Sequence, residues 1–338
     1  MIDVIIPIYN VNIEQLEKCL LSVIAQTIVK KLEITIVDDG SSIIDKKLNN
    51  LLEKVRTFVP VQLLRYKENR GPGYARQYGI NHTYNDYIMF IDADDMFSPI
   101  AAEALLRGFL LYPDKAISMG KFYSFNSETM ICEEVNIQLT WVFAKMYKRS
   151  IIKEYGFSFN TNKNCSYGNE DVGFNCQFQY LLGPECTVWT EQPLYYWSNY
   201  NKDSITRKNN YEYNYTSGYK GYVMNFIYTY LRFKDKTTKN KSEWYAFKHL
   251  FDIYDCYFKN TDIIKKDTKV KKELLKYAYL YYIKVFQSFD SEDNILLKEY
   301  WNNFKNINKD KNFDVFYSDF LLPLRQTYIK NNKEDSLK

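Results

Sequence analysis

The chain has 338 residues, 46% of them hydrophobic and 25% charged, and its 45 lysines and arginines against 41 aspartates and glutamates give a net charge of +4. This composition excludes a disordered chain, a collagen-like chain and a small disulfide scaffold, and the length suffices for a large core in about two domains. The mild charge argues against a nucleic-acid binder that relies on bulk charge.

Short apolar segments alternate with helical patterns in the amino-terminal part of the chain. Strands are predicted at residues 2–7, 32–37, 61–64 and 87–91. Helices are predicted at residues 12–26, 44–57 and 71–83. Alternation at this spacing is typical of an α/β domain with a mostly parallel sheet, and strands this apolar suit a sheet that helices cover on both faces.

Polar residues follow three of the four predicted strands. The strand ends are followed by Tyr9-Asn10, by Asp38-Asp39-Gly40-Ser41 and by Asp92-Ala93-Asp94-Asp95. Ligands of open α/β sheets bind beyond the carboxyl ends of the strands. We therefore expect the three ends to line one crevice.

The acidic group at residues 92–95 has two interpretations. Closely spaced carboxylates repel one another, and Mg²⁺ or Mn²⁺ commonly takes one or two of them together with phosphate oxygens. Alternatively, Asp94 or Asp95 caps a following helix. Asp38-Asp39-Gly40-Ser41 is either a turn, because Asp-Gly favours turns, or a contact to a base or ribose hydroxyl.

Two further segments are candidates for chemistry. Asn69-Arg70-Gly71-Pro72-Gly73 opens a predicted helix that also contains Arg76, where amides and a guanidinium favour a phosphate. The alternative is that Arg76 is a surface residue of an ordinary helix. Asn169-Glu170-Asp171 is either a general base with a helper carboxylate or an acidic first helical turn.

The second half of the chain has aromatic stripes at helical spacing, with lysine-rich stretches between them. We interpret the stripes as the core of a helical region and the lysines as a solvated face. The boundaries predicted are 1–208 for the α/β domain, 209–330 for the helical domain and 331–338 for a polar tail.

The sequence favours a cytoplasmic protein. No segment approaches about 18 consecutive apolar residues, and the amino terminus lacks a basic leader, so neither a membrane span nor a signal peptide is expected. The six cysteines contain no Cys-x-x-Cys pair, which favours reduced thiols over a zinc knuckle. Contact with the inner face of a membrane is left open.

Residues 1–206 resemble glycosyltransferase family two, which has the GT-A fold, a Rossmann-like and mostly parallel sheet flanked by helices. The matching segments, in order, are Ile6-Pro7-Ile8-Tyr9-Asn10, Val37-Asp38-Asp39-Gly40-Ser41, residues 69–79, Phe90-Ile91-Asp92-Ala93-Asp94-Asp95, Glu170-Asp171 and Asp203-Ser204-Ile205-Thr206. The chain departs from the family pattern in having Asn169 where glycine is frequent and in lacking a downstream histidine as a further metal ligand. It also lacks the Gln-x-x-Arg-Trp segment of processive synthases.

The resemblance implies a nucleotide site. Pro7 and Tyr9 would border the nucleobase, with Tyr9 stacked on it, and Asp38 would bond the base, usually uracil. Asn69 and Arg76 would steady the rest of the nucleotide. The donor implied is a UDP-sugar.

The resemblance also implies metal-dependent catalysis with inversion. Asp92 would contact ribose or metal, and Asp94 would bind the Mn²⁺ or Mg²⁺ that bridges the diphosphate. Asp171 would be the catalytic base, beside Glu170. Asp92 and Asp94 form the DXD pattern that the resemblance associates with metal binding.

The implied partners are a nucleotide sugar and a glycan or glycopolymer acceptor, as in polysaccharide or teichoic acid glycosylation, and no nucleic acid. The implied reaction transfers a hexose or N-acetylhexosamine to an acceptor hydroxyl. Two alternatives stay open: a nucleotidyltransferase, and a non-catalytic nucleotide- or glycan-binding module. Self-association through the helical region is also left open.

Overall fold

The computed structural model describes residues 1–42, 46–126, 129–135, 140–162, 168–198, 218–258, 267–291, 293–304 and 312–335. The chain divides into two compact units, Met1–Lys208 and Asn209–Lys338. The predicted segment Asp203-Ser204-Ile205-Thr206 lies outside the described residues.

Within the described ranges, the first unit is built on one sheet of nine strands. The strands are β1 Ile2–Ile8, β2 Leu32–Asp38, β3 Val61–Arg65, β4 Tyr87–Phe90, β5 Met96–Phe97, β6 Ile117–Asn126, β7 Ile131–Val135, β8 Lys145–Lys148 and β9 Thr187–Ser198. Their order is β3-β2-β1-β4-β8-β6-β9-β5, with β7 paired to β6.

The sheet is mixed, and its amino-terminal half is parallel as predicted. Strands β3, β2, β1 and β4 pair in parallel, whereas β8 pairs antiparallel with both β4 and β6. Strand β9 is parallel to β6 and antiparallel to β5. Strands β1 and β2 are almost completely buried, as expected for strands that are covered on both faces, whereas β3 at the end of the sheet is only partly buried.

Six helices of this unit lie within the described residues: α1 Ile13–Ile24, α2 Lys46–Arg56, α3 Pro72–Asn81, α4 Ala101–Leu111, α5 Arg149–Tyr155 and α6 Glu170–Leu182. Helix α1 begins where Asn12 accepts bonds from the amides of Glu14 and Gln15, which caps the helix. Its apolar stripe, Leu16, Cys19, Leu20 and Val23, packs into the same core cluster as β1 and β2.

The second unit is helical, and most described residues of the aromatic stripes predicted as core are buried. Its helices are α7 Gly218–Phe233, α8 Lys239–Phe258, α9 Thr268–Tyr281, α10 Ile295–Asn303, α11 Phe313–Phe316 and α12 Leu322–Asp335. Phe226 and Phe233 of α7, Phe251 of α8 and Tyr281 of α9 are at most 2% exposed. Helix α12 continues past residue 330, where the sequence predicts the start of a polar tail.

None of the helices in the described ranges combines the length and the apolar character that crossing a membrane requires. The cysteines outside the undescribed segments, Cys19, Cys132, Cys176, Cys186 and Cys256, are free thiols.

Candidate active site

A buried arginine links two of the predicted segments. Arg76 on α3 is 3% exposed, its Nη2 lies 2.8 Å from Asp92 Oδ1, and its Nη1 lies 2.6 Å from Glu170 Oε1. Burial alone would lower the pKa of Arg76, but the carboxylates of Asp92 and Glu170, and then that of Asp171, outweigh it and raise the pKa. The alternative of a surface arginine is therefore wrong.

The acidic turn after β4 presents its carboxylates in different directions. Asp95 is 1% exposed and accepts bonds from the Tyr195 hydroxyl and, at 2.8 Å, from the Ser198 amide. Burial, followed by the charges of Asp94 and Asp92, raises the pKa of Asp95. Asp92 and Asp94 are only half-buried.

The helix-capping interpretation of Asp94 and Asp95 is wrong. Helix α4 begins at Ala101 after Ile100, and no side chain caps it. Asp95 instead fastens the turn to the end of β9, where the Tyr195 hydroxyl also accepts a bond of 3.3 Å from the amide of Asp92.

The carboxylates fit a magnesium or manganese ion that shares its shell with a diphosphate. Mg²⁺ is usually held by one or two carboxylates plus phosphate oxygens, and Asp92 and Asp94 supply that number at the sheet edge. Across the described residues, no group of three or more His, Cys, Asp or Glu side chains is arranged to hold a metal. Two carboxylates therefore suit an ion whose remaining ligands are phosphate oxygens of a substrate.

The second acidic pair occupies the first turn of α6. Asn169 precedes it with φ of 54° and makes no side-chain capping bond. Burial and then the charge of Glu170 raise the pKa of Asp171 to about 7, although Arg76, the Val172 amide and Lys145 oppose the rise. A carboxyl group with such a pKa can take up a proton near neutral pH, as a general base must.

The glycine-rich turn before α3 already holds an anion of the protein itself. Asp39 is 4% exposed and accepts bonds from the Arg70 amide at 2.7 Å, the Gly71 amide at 2.8 Å and the Tyr66 hydroxyl at 2.7 Å. The amides of Arg70 and Gly71 are thus bonded within the protein, and phosphate binding by the other amides of this segment stays a prediction. Asn69 lies in the same turn and accepts from Gly71 at 3.2 Å.

Asp38 is fixed at the end of β2. It is 2% exposed, lies 3.1 Å from Arg65 Nε and accepts a 2.9 Å bond from the Ser41 amide, so the predicted Asp-Gly turn is present. Strand β1 places Ile8 directly beside Asp38, and the exposed ring of Tyr9 follows. The half-buried Pro7 lies on the same strand.

A cavity of about 350 Å³ lies beside these strand ends, lined by Ser41, Arg65, Tyr66 and Lys67. The last three follow one another at the end of β3 and belong to none of the motifs noted in the sequence. Their position at the carboxyl end of a parallel strand is the feature that could have identified them.

The structure thus brings Asp92 and Glu170 together through Arg76, and places Pro7, Tyr9 and Asp38 on two adjacent strand ends. The roles of these residues, and those of Asn69, Asp94 and Asp171, stay predictions.

Residues 3–172 match the family model described as Glycosyl transferase family 2. Glycosyltransferase GlyA of Streptococcus pneumoniae is 35% identical over 125 residues, which are 37% of this chain and 17% of that protein. Poly(ribitol-phosphate) beta-glucosyltransferase of Bacillus spizizenii is 29% identical over 211 residues, 58% of this chain and 32% of that protein. The chain therefore spans less than a third of either relative.

Solved structures share the fold. The crystal structure of S. aureus TarS 1–349 matches with a TM-score of 0.65 at 15% sequence identity, and the match covers 85% of this chain and 81% of the TarS chain. The complex of the same TarS segment with UDP has a TM-score of 0.65 at 15% identity, covering 88% and 86% of the two chains. The chain belongs to glycosyl transferase family 2.

Proposed function

We propose that the protein is an inverting, metal-dependent glycosyltransferase that moves a hexose or N-acetylhexosamine from a UDP-sugar to a hydroxyl of a glycan or cell-surface glycopolymer. The observation that supports this most is the pair of bonds from Arg76, which join the carboxylate after β4 to the acidic pair that begins α6. In this proposal, the donor and the acceptor meet at that junction.

Asp171 is the base in this proposal. Its carboxylate takes the proton of the acceptor hydroxyl as that oxygen bonds to the anomeric carbon from the face opposite the diphosphate. The bond between the anomeric carbon and the diphosphate oxygen breaks, and UDP leaves with the electron pair. A single displacement inverts the anomeric configuration.

The donor is held by the ends of the parallel strands. Tyr9 stacks on the base with Pro7 beside it, Asp38 bonds the base, and Asn69 steadies the nucleotide. Arg76 steadies the nucleotide portion by way of Asp92 and Glu170, to which its two terminal nitrogens are bonded. Asp94 and Asp92 would hold Mn²⁺ or Mg²⁺, and that ion would supply positive charge to neutralise the departing diphosphate.

The relatives support a UDP-sugar donor and a polymer acceptor. S. aureus TarS 1–349 has been crystallised with UDP and with UDP-GlcNAc. The Bacillus relative is described as acting on poly(ribitol phosphate). We assign residues 1–208 to the transfer reaction, and residues 209–330 to shaping the acceptor side or to self-association, in the cytoplasm.

A panel of UDP-sugars tests the proposal. Purified protein with Mn²⁺ is expected to release UDP from at least one of them, and chelation is expected to stop the release. Asp94→Ala should abolish it, whereas Asp114→Asn, which changes an exposed carboxylate 2.9 Å from Lys115 Nζ, should not change it. Release of pyrophosphate in place of UDP would support the nucleotidyltransferase alternative, and UDP binding without turnover would support a binding module.

A further inference from the structure

Asp38 and Arg65 lie side by side where two parallel strands end. Asp38 is the last residue of β2 and pairs with Arg65, the last residue of β3, on one side. On its other side it pairs with Ile8, the last residue of β1. The carboxyl ends of parallel strands are where open α/β sheets bind their ligands, so both side chains lie at the edge where a donor would bind.

Both oxygens of the Asp38 carboxylate are bonded. Oδ1 accepts from the Ser41 amide at 2.9 Å, and Oδ2 lies 3.1 Å from Arg65 Nε. Arg65 Nη2 also donates to the backbone oxygen of Ser41 at 2.5 Å, so the three residues form a closed ring of contacts. Burial of an ionised carboxylate is costly unless the group is paired and hydrogen-bonded, and this ring meets both conditions.

The ring of contacts leaves Asp38 with capacity for a ligand. The two oxygens of an ionised carboxylate offer about four lone-pair positions. Within the described part of the chain, Ser41 and Arg65 occupy two of them. The carboxylate can therefore accept a further bond, in a direction that its two bonds within the protein determine.

Arg65 also borders an open space. It lines the cavity of about 350 Å³ together with Ser41, Tyr66 and Lys67, and this volume lies within the range of small-molecule sites. The side chain of Arg65 is 28% exposed, whereas that of Asp38 is 3% exposed. The arginine thus connects a buried acid with a cavity that a ligand can enter.

The turn that holds Asp38 also holds the residue after Tyr9. The Asn10 amide donates to Ser41 Oγ at 2.9 Å, and Asn10 Oδ1 accepts from the Ser42 amide at 3.0 Å. The backbone that carries Tyr9 is therefore tied to the turn after β2. In the proposed function Tyr9 contacts the face of the base, and this connection allows Asp38 to contact its edge.

An ionised carboxylate at that edge distinguishes uracil from cytosine. N3 of uracil carries a hydrogen that the carboxylate can accept, whereas N3 of cytosine is itself an acceptor. Facing cytosine N3, a carboxylate would oppose a lone pair and lose its bond in a site shielded from water. A site built to hydrogen-bond one group strongly rejects an analogue that lacks it.

We propose that Arg65 is a positioning residue that makes the nucleotide site selective for uracil: together with the Ser41 amide, it orients the Asp38 carboxylate so that an oxygen lone pair meets the N3–H of the base. The inference rests on the proposed UDP-sugar donor and on Asp38 as the residue that bonds the base. Arg65 acts through Asp38 and does not bond the base itself.

The test compares the affinities for UDP and CDP, measured by calorimetry with Mn²⁺ present. Wild-type protein should bind UDP at least about a hundredfold more tightly than CDP. Arg65→Met removes the guanidinium that orients Asp38, so the preference for UDP should fall about tenfold, mainly through weaker UDP binding. Arg65→Lys should restore only part of the preference, because an ammonium cannot reproduce the fork that reaches both Asp38 and Ser41.

Lys67→Met is the matched control. Lys67 lines the same cavity and carries the same charge as Arg65. Because UDP and CDP have identical phosphates, loss of a general attraction changes both affinities together, and the preference for UDP should stay at its wild-type value. A preference that falls as far in Lys67→Met as in Arg65→Met would show that charge in the cavity is responsible, and would contradict the inference.

A double variant shows whether Arg65 acts through Asp38. Asp38→Asn should lower the preference by itself, because an amide can donate to cytosine N3 as well as accept from uracil. Adding Arg65→Met to Asp38→Asn should then change the preference little, whereas strictly additive effects would contradict the inference. If Arg65→Met does not fold, Arg65→Lys takes its place in this cycle.

The outcomes separate the inference from the proposed function. Sugar transfer from a UDP-sugar, with an unchanged preference for UDP in Arg65→Met, would refute the inference and leave the proposed function intact. Wild-type protein that neither binds UDP nor releases it from any UDP-sugar would refute both.

Discussion

Two buried arginines in the first unit differ in what surrounds them. Arg149, at the start of α5, donates to the backbone oxygens of Asn85 at 2.6 Å and Ile80 at 2.9 Å and to a carboxylate oxygen of Asp3 at 2.7 Å. Every nitrogen of its guanidinium has a partner, and only one of the partners is an acid.

Arg76 has a different set of partners. Its terminal nitrogens bind two carboxylates from separate elements, and its Nε is buried with no hydrogen-bond partner among the described residues. Burial lowers the pKa of Arg149, partly offset by Asp3, whereas the acids around Arg76 raise its pKa despite burial. Arg149, whose guanidinium nitrogens all have hydrogen-bond partners, is typical of a residue that stabilises the fold. Arg76, which is shared between two carboxylates, is typical of a functional site where charged groups are clustered.

Arg76→Met should have the largest effect on turnover. Without the guanidinium, Asp92 and Glu170 repel each other and the start of α6 shifts, so we expect kcat/KM to fall by about a hundredfold or more. Arg76→Lys should rescue little, because an ammonium cannot reproduce the fork that joins two carboxylates. The measurement is UDP release at a temperature where circular dichroism shows a folded protein, and wild-type turnover in folded Arg76→Met would contradict the prediction.

Arg149→Met should instead reduce stability. Removing one partner of a buried ion pair costs about 3–5 kcal/mol, here because Asp3 loses its counter-charge. Turnover per folded molecule should stay unchanged at low temperature. Denaturant titration checks the loss, and a fall in turnover as large as that of Arg76→Met would remove the distinction between the two arginines.

The strands that bear the site were easier to predict than the connections between them. Strands β1 and β2 begin at the predicted residues and end one residue beyond the predicted ends. Short apolar runs bounded by polar residues are a clear signal for buried strands. Strand β5 has two residues, and the antiparallel pairing of β8 depends on contacts with distant strands. Such pairings have no periodic pattern in the sequence.

Within the site, the sequence could identify the acids but not their partners. Asp38 and Asp39 are adjacent, yet one binds Arg65 and the other holds the turn before α3. The bond between Arg76 and Glu170 joins residues 94 positions apart. These partners are distant in the sequence, so only the three-dimensional structure shows which basic group or amide each carboxylate binds.

His249 extends the comparison to a buried basic side chain in the helical unit. Burial, and then the charge of Lys248, lowers its pKa to about 4, although Asp252 opposes this from 2.8 Å. The unfolded chain therefore binds a proton that the folded chain does not, and stability falls as the pH drops from about 6.5 towards 4. We expect a loss of about 2 kcal/mol between pH 7 and pH 5.

Thermal unfolding at several pH values checks this prediction, and His249→Gln should flatten the dependence. Asp252 does not contribute to that window, because its pKa is lowered to about 2 and its contribution is lost only at lower pH. An unchanged slope in His249→Gln would contradict the assignment.

Tyr66→Phe should have the smallest effect. It removes the 2.7 Å bond to Asp39, while the amides of Arg70 and Gly71 still hold that carboxylate. The expected loss is about 1 kcal/mol. Denaturant titration measures it, and Tyr74→Phe, a neighbouring ring whose centroid lies 5.1 Å from that of Tyr66, is the matched control.

The most direct test of the account is the rate of UDP release by Asp171→Asn. If the acid after Glu170 takes the acceptor proton, the variant should bind UDP as the wild type does and should turn over about a thousandfold more slowly. Asp114→Asn should keep the wild-type rate. An Asp171→Asn protein that releases UDP as fast as the wild type would show that Asp171 is not the catalytic base and would contradict the account.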